Sequence, residues 1–283
     1  MLTITKLIET EVENMDCKIG FIGAGNMTKA FVSRWVHTFP EINSKIFISN
    51  RTKRTAEKIC KEFKVNLSMN NIDLVKNCSI IILAVKPNGY KDVLNEIKEY
   101  ISEKHIIVSM AAGISINYMQ EIIKKEAKIV RTMPNTPVLV GEGMTAIAYN
   151  QNISKEEISY VLNLFESMGR ADVIDEKLMD VATAISGSSP AFVYIFIEAL
   201  ADGGVLQGMS REKAYKYAAQ AVLGGAKLIL EGGKHPGEFK DMVCTPGGTA
   251  IEAIYSLEKG HFRGTVMEAM NNCVEKARFL AYK

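Results

Sequence analysis

Gly23 and Gly25 stand between an apolar run, Ile19–Ile22, and a helical pattern that begins at Asn26. A buried strand that passes through a glycine turn into a helix points the N-terminus of that helix at the turn. The N–H groups and the dipole of a helix start attract negative charge, and glycine lets the backbone approach a pyrophosphate closely. The pattern predicts dinucleotide binding. The alternative is a turn that needs glycine only for its shape. The strand–turn–helix context favours dinucleotide binding over this alternative.

Basic residues follow the predicted second strand, Lys45–Ser49. Chains that bind NAD usually carry an Asp or Glu at this point for the 2′-hydroxyl of the ribose, whereas this chain has Arg51, Lys53 and Arg54. A guanidinium binds a 2′-phosphate through paired, charge-assisted hydrogen bonds. A solvated helix start explains these residues less well, because positive charge is unfavourable there. We therefore expect NADPH to be preferred, with NADH as the alternative.

A second candidate anion site lies far along the chain at Cys244–Thr249, CTPGGT. Pro-Gly-Gly ahead of a helix presents several backbone N–H groups in one direction, and Thr245 and Thr249 add hydroxyl donors. A small carboxylate suits such a loop. A glycine-rich turn between two helices is the alternative.

The elements that must position these sites change in type along the chain. Strands and helices alternate up to Ile174, which predicts an α/β fold with a Rossmann-like, mostly parallel sheet. From about Leu178 only helical patterns remain. A long helix is predicted over Ala191–Met209, with Ser189 as its N-cap and Pro190 in its first turn. Since this helix is apolar on almost all sides, we expect it to be buried in an intertwined homodimer.

These patterns divide the chain into three predicted parts. They are an N-terminal extension over residues 1–16, a dinucleotide-binding Rossmann domain over 17–175, and a helical dimerisation and substrate-binding domain over 176–283. Besides the two strands already given, strands are predicted at Val65–Leu67, Ser79–Val85, His105–Ser109, Lys128–Thr132, Met144–Tyr149 and Ala171–Ile174.

Composition argues against several classes of protein. Lys and Arg number 34 against 32 Asp and Glu, so no basic excess indicates a nucleic-acid partner. Five scattered cysteines without a C-x-x-C pair indicate free thiols in a reducing compartment, and we expect a cytoplasmic protein. The four histidines show no metal-ligand spacing, so no metal is expected. Neither a membrane span nor a signal peptide is predicted.

Six stretches of the chain, spread over about residues 17–281, resemble the pyrroline-5-carboxylate reductase family. They are KIGFIGAGNM from Lys18, AVKP at Ala84–Pro87, SMAAGIS at Ser109–Ser115, RTMPNTP at Arg131–Pro137, SGSSPAFVYIFIEALADGG from Ser186 and HPGEFKDMVCTPGGTAIEAI from His235. The resemblance implies reduction of Δ1-pyrroline-5-carboxylate to L-proline with NADPH or NADH, the last step of proline biosynthesis. It also implies a helical dimerisation domain and, often, a decamer of five dimers.

The resemblance assigns roles residue by residue. The implied cofactor residues are Gly23, Ala24, Gly25, Asn26 and Met27 at the phosphates, Ser49, Asn50 and Arg51 at the adenosine ribose, Asn71, Ala84, Val85, Lys86 and Pro87 along the cleft, and Met110, Ala111 and Ala112 by the nicotinamide. The implied substrate residues are Thr245, Gly247, Gly248, Thr249 and Ala250, reaching the carboxylate across the dimer interface. Of these, Thr245 and Thr249 carry the candidate catalytic hydroxyls.

Three positions depart from the family pattern. Thr28 replaces the third glycine or alanine of the first turn, Ser189 replaces a glycine, and Ala250 replaces a threonine whose hydroxyl lies near the substrate. Ala250 motivates one alternative, a paralogue that reduces another cyclic imino acid such as piperideine-2-carboxylate. A cofactor-binding regulator without turnover is the other. Glu176 and Asp180 are the nearest acids for a proton-transfer role, although a charge pair at a helix start explains them better.

Overall fold

The computed structural model describes residues 17–39, 41–124 and 126–281, so the predicted extension over 1–16 lies outside the described residues. The chain forms two compact units. The first holds the described residues up to Ser188 and those from Val274 onward, and the second is Ser189–Cys273.

An eight-stranded sheet forms the centre of the first unit, in the order β3-β2-β1-β4-β5-β6-β7-β8. The strands are β1 Ile19–Ile22, β2 Ile46–Ser49, β3 Asn66–Leu67, β4 Ile80–Leu83, β5 Ile106–Ser109, β6 Lys128–Pro134, β7 Gly143–Tyr149 and β8 Gly169–Val173. All neighbouring strands are parallel except β6 and β7, which are antiparallel. The predicted mostly parallel sheet is confirmed, and every predicted strand end lies within two residues of the observed one.

Helices cover both faces of this sheet. They are α1 Asn26–Thr38, α2 Lys53–Phe63, α3 Asn71–Asn77, α4 Tyr90–Ile97, α5 Ile116–Ile122, α6 Lys155–Glu166 and α7 Met179–Ala182. The central strands β1, β4 and β5 are buried throughout, because helices on both sides exclude water from continuous apolar runs. Ser154 caps α6 and forms the predicted capping box with Glu157.

Two apolar clusters, one on each face of the sheet, hold the helices in place. On the face of α1 and α6, Trp35 is fully buried and its Nε1 donates to the carbonyl of Leu164 at 2.9 Å. The rings of Phe21 and Phe31 pack against this indole, with centroids at 5.7 and 5.4 Å. Helix α1, which starts at the glycine turn, is therefore fixed along its length.

The predicted N-cap at Ser189 is wrong, because the helix is continuous through this position. Residues Thr183–Ser188 form a π-helix that joins α7 to α8, Ser189–Leu206. Pro190 has no N–H for the carbonyl four residues earlier, that of Ser186. This carbonyl instead accepts a hydrogen bond from Nδ2 of Asn135 at 3.0 Å. A local π-segment and an external donor thus accommodate a proline that the sequence pattern indicated as a helix start.

The second unit is all helical, as predicted. Its elements are α8, α9 Arg211–Gly232, α10 Pro236–Val243, α11 Thr249–Lys259 and the part of α12, Phe262–Ala281, that precedes Val274. Helix α8 packs on α9 through Ala201, Ala214 and Ala218. The rest of α8 is exposed or half-buried in the single chain, and within the described residues only the stretch Glu176–Leu206 has the length and apolar composition of a membrane span.

His105 makes the stability of the first unit depend on pH. Its side chain is buried, Nδ1 accepts from the backbone N–H of Ser102 at 2.9 Å, and Nε2 lies 3.0 Å from the carbonyl of Val75. Both contacts suit the neutral imidazole, and burial lowers the pKa of His105 below its usual value. The folded state therefore disfavours the charged ring that the unfolded chain takes up in acid.

We expect this stabilisation to be complete above a pH of about 6.5, the pKa of an unfolded histidine. It is lost as the pH falls from that value through the lower pKa of the folded state. Melting temperatures measured between pH 7.5 and 5 should fall more steeply for the wild type than for His105→Gln. The exposed His37 provides the control, since His37→Gln should keep the wild-type slope. Parallel curves for wild type and His105→Gln would contradict the assignment.

Candidate active site

A cleft of about 920 Å³ opens where β1, β2 and β4 end. Four segments form its walls: the glycine turn before α1, the loop between β2 and α2, the segment from β3 into α3, and the segment from the end of β4 into α4. The lining residues are Ile22, Gly23, Ala24, Gly25, Ser49, Asn50, Arg51, Lys53, Met69, Asn70, Asn71, Ala84, Val85, Lys86, Asn88, Gly89, Asp92, Val93 and Glu96. This is the edge of a doubly wound sheet at which ligands bind.

The two glycines of the turn are required for different reasons. Gly23 has φ +113°, and a Cβ there would lie 2.7 Å from the carbonyl oxygen of Ala84. Gly25 has φ −82°, which any residue adopts, and a Cβ there would meet nothing within 4 Å. The fold therefore demands glycine at Gly23, whereas the space beside Gly25 is open to a ligand. Helix α1 also begins with no side chain capping its N-terminus, which suits an anion.

Thr28, the departure in this turn, does not disturb the packing. It is fully buried, and its hydroxyl donates to the carbonyl of Gly23 at 2.8 Å. On the other face of the sheet, α3 packs closely on β1 at Gly20, where a Cβ would collide with the side chain of Leu74. The threonine thus replaces a small residue and adds a bond that holds the turn.

Polar side chains connect the end of β2 to the rest of the cleft. Oδ1 of Asn50 accepts from the N–H of Ala24 at 3.1 Å. The hydroxyl of Ser49 donates to Oδ1 of Asn71 at 2.8 Å, and Nδ2 of Asn71 donates to the carboxylate of Glu96 at 2.7 Å. The predicted ribose residues therefore lie together and orient one another.

The cleft contains some of the predicted cofactor residues and not others. Those that line it are Gly23, Ala24, Gly25, Ser49, Asn50, Arg51, Asn71, Ala84, Val85 and Lys86. Those that do not are Asn26, Met27, Pro87, Met110, Ala111 and Ala112. Asp92, Val93 and Glu96 were missed, although their spacing on the helix after AVKP places them on one face. Met69 and Asn70, ahead of α3, gave no sequence signal.

The predicted carboxylate loop lies in the second unit. The N–H of Gly248 donates to the carbonyl of Thr245 at 3.0 Å, and Gly247 has φ +68°. Gly248 then starts α11 without a side-chain cap, and Thr249 and Ala250 are the first residues of that helix. This is a tight turn that leads into an uncapped helix start, a geometry that suits an anion such as a carboxylate. Thr245 and Thr249 are both exposed in the single chain.

Glu176 and Asp180 form ion pairs with a buried arginine, Arg131. Nη1 of Arg131 lies 3.1 Å from Glu176 and Nη2 lies 3.5 Å from Asp180, while the N–H of Ile116 donates to Glu176 at 2.8 Å. The Arg131 side chain is only 7% exposed, and the carboxylates compensate its charge. Neither acid lines the cleft. In the part of the chain that the structure describes, no cluster of His, Cys, Asp and Glu could hold a metal ion.

Comparisons with known proteins cover almost the whole chain. A family model described as pyrroline-5-carboxylate reductase dimerisation matches residues 176–280, and one described as NADP oxidoreductase, coenzyme F420-dependent, matches residues 18–113. A pyrroline-5-carboxylate reductase of Escherichia coli is 42% identical over 94% of this chain and 99% of its own length. One from Arabidopsis thaliana is 38% identical over 93% and 95%. The apolar stretch Glu176–Leu206 falls within the dimerisation match, which accounts for its exposed surface.

Two solved structures have the same architecture. The structure of Plasmodium falciparum pyrroline carboxylate reductase with NADP bound has a TM-score of 0.85 and 36% identity, covering 94% of this chain and 98% of its own. A pyrroline-5-carboxylate reductase of Coxiella burnetii has a TM-score of 0.88 and 29% identity, covering 94% and 99%.

The open space at Gly25 leads to a prediction. Gly25→Ala should fold with a melting temperature within about 2 °C of the wild type, since its Cβ meets no protein atom. If the turn binds the pyrophosphate as predicted, the same methyl group would obstruct its approach, so the Kd for NADPH should rise at least about tenfold. Calorimetric titration measures the affinity and scanning calorimetry the stability.

Gly23→Ala is the matched control. Strain at φ +113° costs ~2–3 kcal/mol, which lowers the melting temperature by about 5–10 °C in a chain of this size. Unchanged NADPH affinity in Gly25→Ala would exclude the turn as the phosphate site.

Proposed function

The chain belongs to the pyrroline-5-carboxylate reductase family, and we propose that it reduces Δ1-pyrroline-5-carboxylate to L-proline in proline biosynthesis. The protein is an NAD(P)H-dependent oxidoreductase. One observation carries the assignment: the 42% identity to a named reductase extends over nearly the full length of both chains and includes both predicted anion sites.

The residues of the first unit fit a dinucleotide. The open space at Gly25 and the uncapped start of α1 suit the pyrophosphate, for which Gly23–Met27 supply the backbone. Asn50 holds the turn to the end of β2, so phosphate and ribose contacts are set by one rigid edge. We place the nicotinamide by Met110–Ala112, where small side chains leave room for a flat ring.

The mechanism asks mainly for positioning. NAD(P)H, when bound, would supply a hydride to the carbon of the substrate's carbon–nitrogen double bond, and the ring nitrogen must take up one proton, for which the hydroxyls of Thr245 and Thr249 are the candidate donors. The N–H groups at the start of α11 hold the substrate carboxylate, and the hydroxyls of Thr245 and Thr249 donate hydrogen bonds to it or to the ring nitrogen. Gly247 and Gly248 keep this loop tight. Orienting two reactants in this way supplies a large part of a rate enhancement.

The assembly contributes to the proposed site. The dimerisation match makes the protein a homo-oligomer, and we propose that the loop Thr245–Thr249 acts across the dimer interface on the partner's cofactor. A ring of five such dimers is the finer proposal, which light scattering of the purified protein tests. Because all five cysteines are free thiols, we place the enzyme in the cytoplasm.

Turnover tests the function directly. Purified protein should oxidise NADPH and NADH when Δ1-pyrroline-5-carboxylate is added, followed at the absorbance of the reduced nicotinamide. Absence of turnover with both cofactors would refute the assignment. Because Ala250 lacks the hydroxyl common in the family, piperideine-2-carboxylate should be assayed beside the first substrate. A higher kcat/KM for it would favour the paralogue with a different imino acid.

Arg51 should distinguish the two cofactors. Arg51 and Lys53 line the cleft at the end of β2, and we expect Arg51 to bind the 2′-phosphate. Loss of a charge-assisted pair costs about 1.5–3 kcal/mol, so Arg51→Ala should raise KM for NADPH by about tenfold or more and leave KM for NADH nearly unchanged. Arg54→Ala is the control, since this arginine carries the same charge and does not line the cleft. Equal effects of Arg51→Ala on both cofactors would show that Arg51 does not contact the phosphate.

A further inference from the structure

Tyr90 is the first residue of α4 and is completely buried beneath the loop that follows β4. Its hydroxyl lies 2.8 Å from the carbonyl of Leu83 and 3.0 Å from the hydroxyl of Ser109. Leu83 and Ser109 are the last residues of β4 and β5 and face each other in register. The phenol therefore joins the ends of two adjacent strands at the edge of the sheet where the cleft lies.

The bonds around this hydroxyl form one directed chain. The atom of Leu83 in contact is its carbonyl oxygen, which can only accept, so the Tyr90 hydroxyl donates its one hydrogen to it. The Ser109 hydroxyl must then donate to the oxygen of Tyr90. The oxygen of Ser109 is then the acceptor for the N–H of Ala111 at 3.4 Å. The carbonyl of Leu83 also accepts from the N–H of Met110 at 3.3 Å. Every donor in the chain has an acceptor, which a buried polar network requires.

This chain of hydrogen bonds ends on Met110 and Ala111, in the segment that we place by the nicotinamide. On one side Leu83 leads into Ala84–Lys86, which line the cleft. On the other side Ser109 leads into Met110–Ala112. We propose that Tyr90 is a positioning residue for hydride transfer: it fixes the separation of these two segments and thereby the distance between nicotinamide and substrate. This inference rests on the proposed function for its kinetic consequence, although not for its structural one.

Tyr90→Phe isolates the hydroxyl, because the ring and its burial are kept. Without the phenol oxygen, the Ser109 hydroxyl loses its acceptor and is free to rotate. Its oxygen is then no longer held in place to accept from the N–H of Ala111. The amides of Met110 and Ala111 should then exchange with solvent at least about tenfold faster, measured by hydrogen exchange on the protein without ligands. In turnover, kcat should fall by about tenfold with KM for NADPH within about twofold of the wild type. The primary isotope effect with 4-deuterated NADPH should rise.

Tyr160→Phe is the matched control. Tyr160 is also a buried tyrosine of the first unit, 4% exposed, and packs in the cluster on the opposite face of the sheet. It should alter neither the exchange of Met110 and Ala111 nor the isotope effect. Ser109→Ala, which removes the middle of the chain, should reproduce the pattern of Tyr90→Phe.

Hydrogen exchange of the Met110 and Ala111 amides tests the role of Tyr90 independently of catalysis. Wild-type exchange at Met110 and Ala111 in Tyr90→Phe would overturn it, and so would equal changes in Tyr160→Phe. Faster exchange with an unchanged kcat and isotope effect would also overturn it. If the wild type reduces no imino acid, the proposed function fails, while exchange still reports whether Tyr90 holds the segment.

Discussion

The contact between Gly23 and the Ala84 carbonyl is the constraint on which the first unit depends. It joins the ends of β1 and β4 so closely that no side chain fits between them. The same glycine donates its N–H to the carbonyl of Ser49 at 2.8 Å, which joins β2 to this point as well. Three strand ends therefore converge on one residue without a side chain, and the cleft lies directly above it. The absence of side-chain bulk leaves room there for the dinucleotide that we propose to bind.

The second unit exposes a large apolar surface on helix α8. Helix α8 is apolar on nearly all sides, yet in the single chain only Ala201 of its eighteen residues is buried. Burial of so much apolar surface requires a partner, and the dimerisation match identifies it as another copy of the chain. The loop Thr245–Thr249 belongs to this unit, so the residues that form the dimer and those proposed to hold the substrate are folded together.

The sequence predicted the elements whose signals are local. The strands were found because their apolar runs are continuous, and α6 because Ser154 and Glu157 form a capping box. The helix start predicted at Ser189 and Pro190 is wrong for a physical reason. The donor that replaces the missing N–H of Pro190 is Asn135, which lies more than fifty residues earlier. The spacing of Glu96 places it on one face of α4 with Asp92 and Val93, but its role depends on Asn71 of another helix. Helical spacing within one element does not reveal a partner on another.

The π-helix at Thr183–Ser188 lies directly ahead of Pro190 in a continuous helix. A π-turn holds one more residue than an α-turn, and Pro190 leaves the carbonyl of Ser186 without its helical donor. Because Nδ2 of Asn135 donates to that carbonyl, the backbone of this helix depends on a side chain that follows β6. A substitution at Asn135 would therefore weaken a helix that is remote from it in the sequence, since it would leave a part-buried carbonyl without a donor.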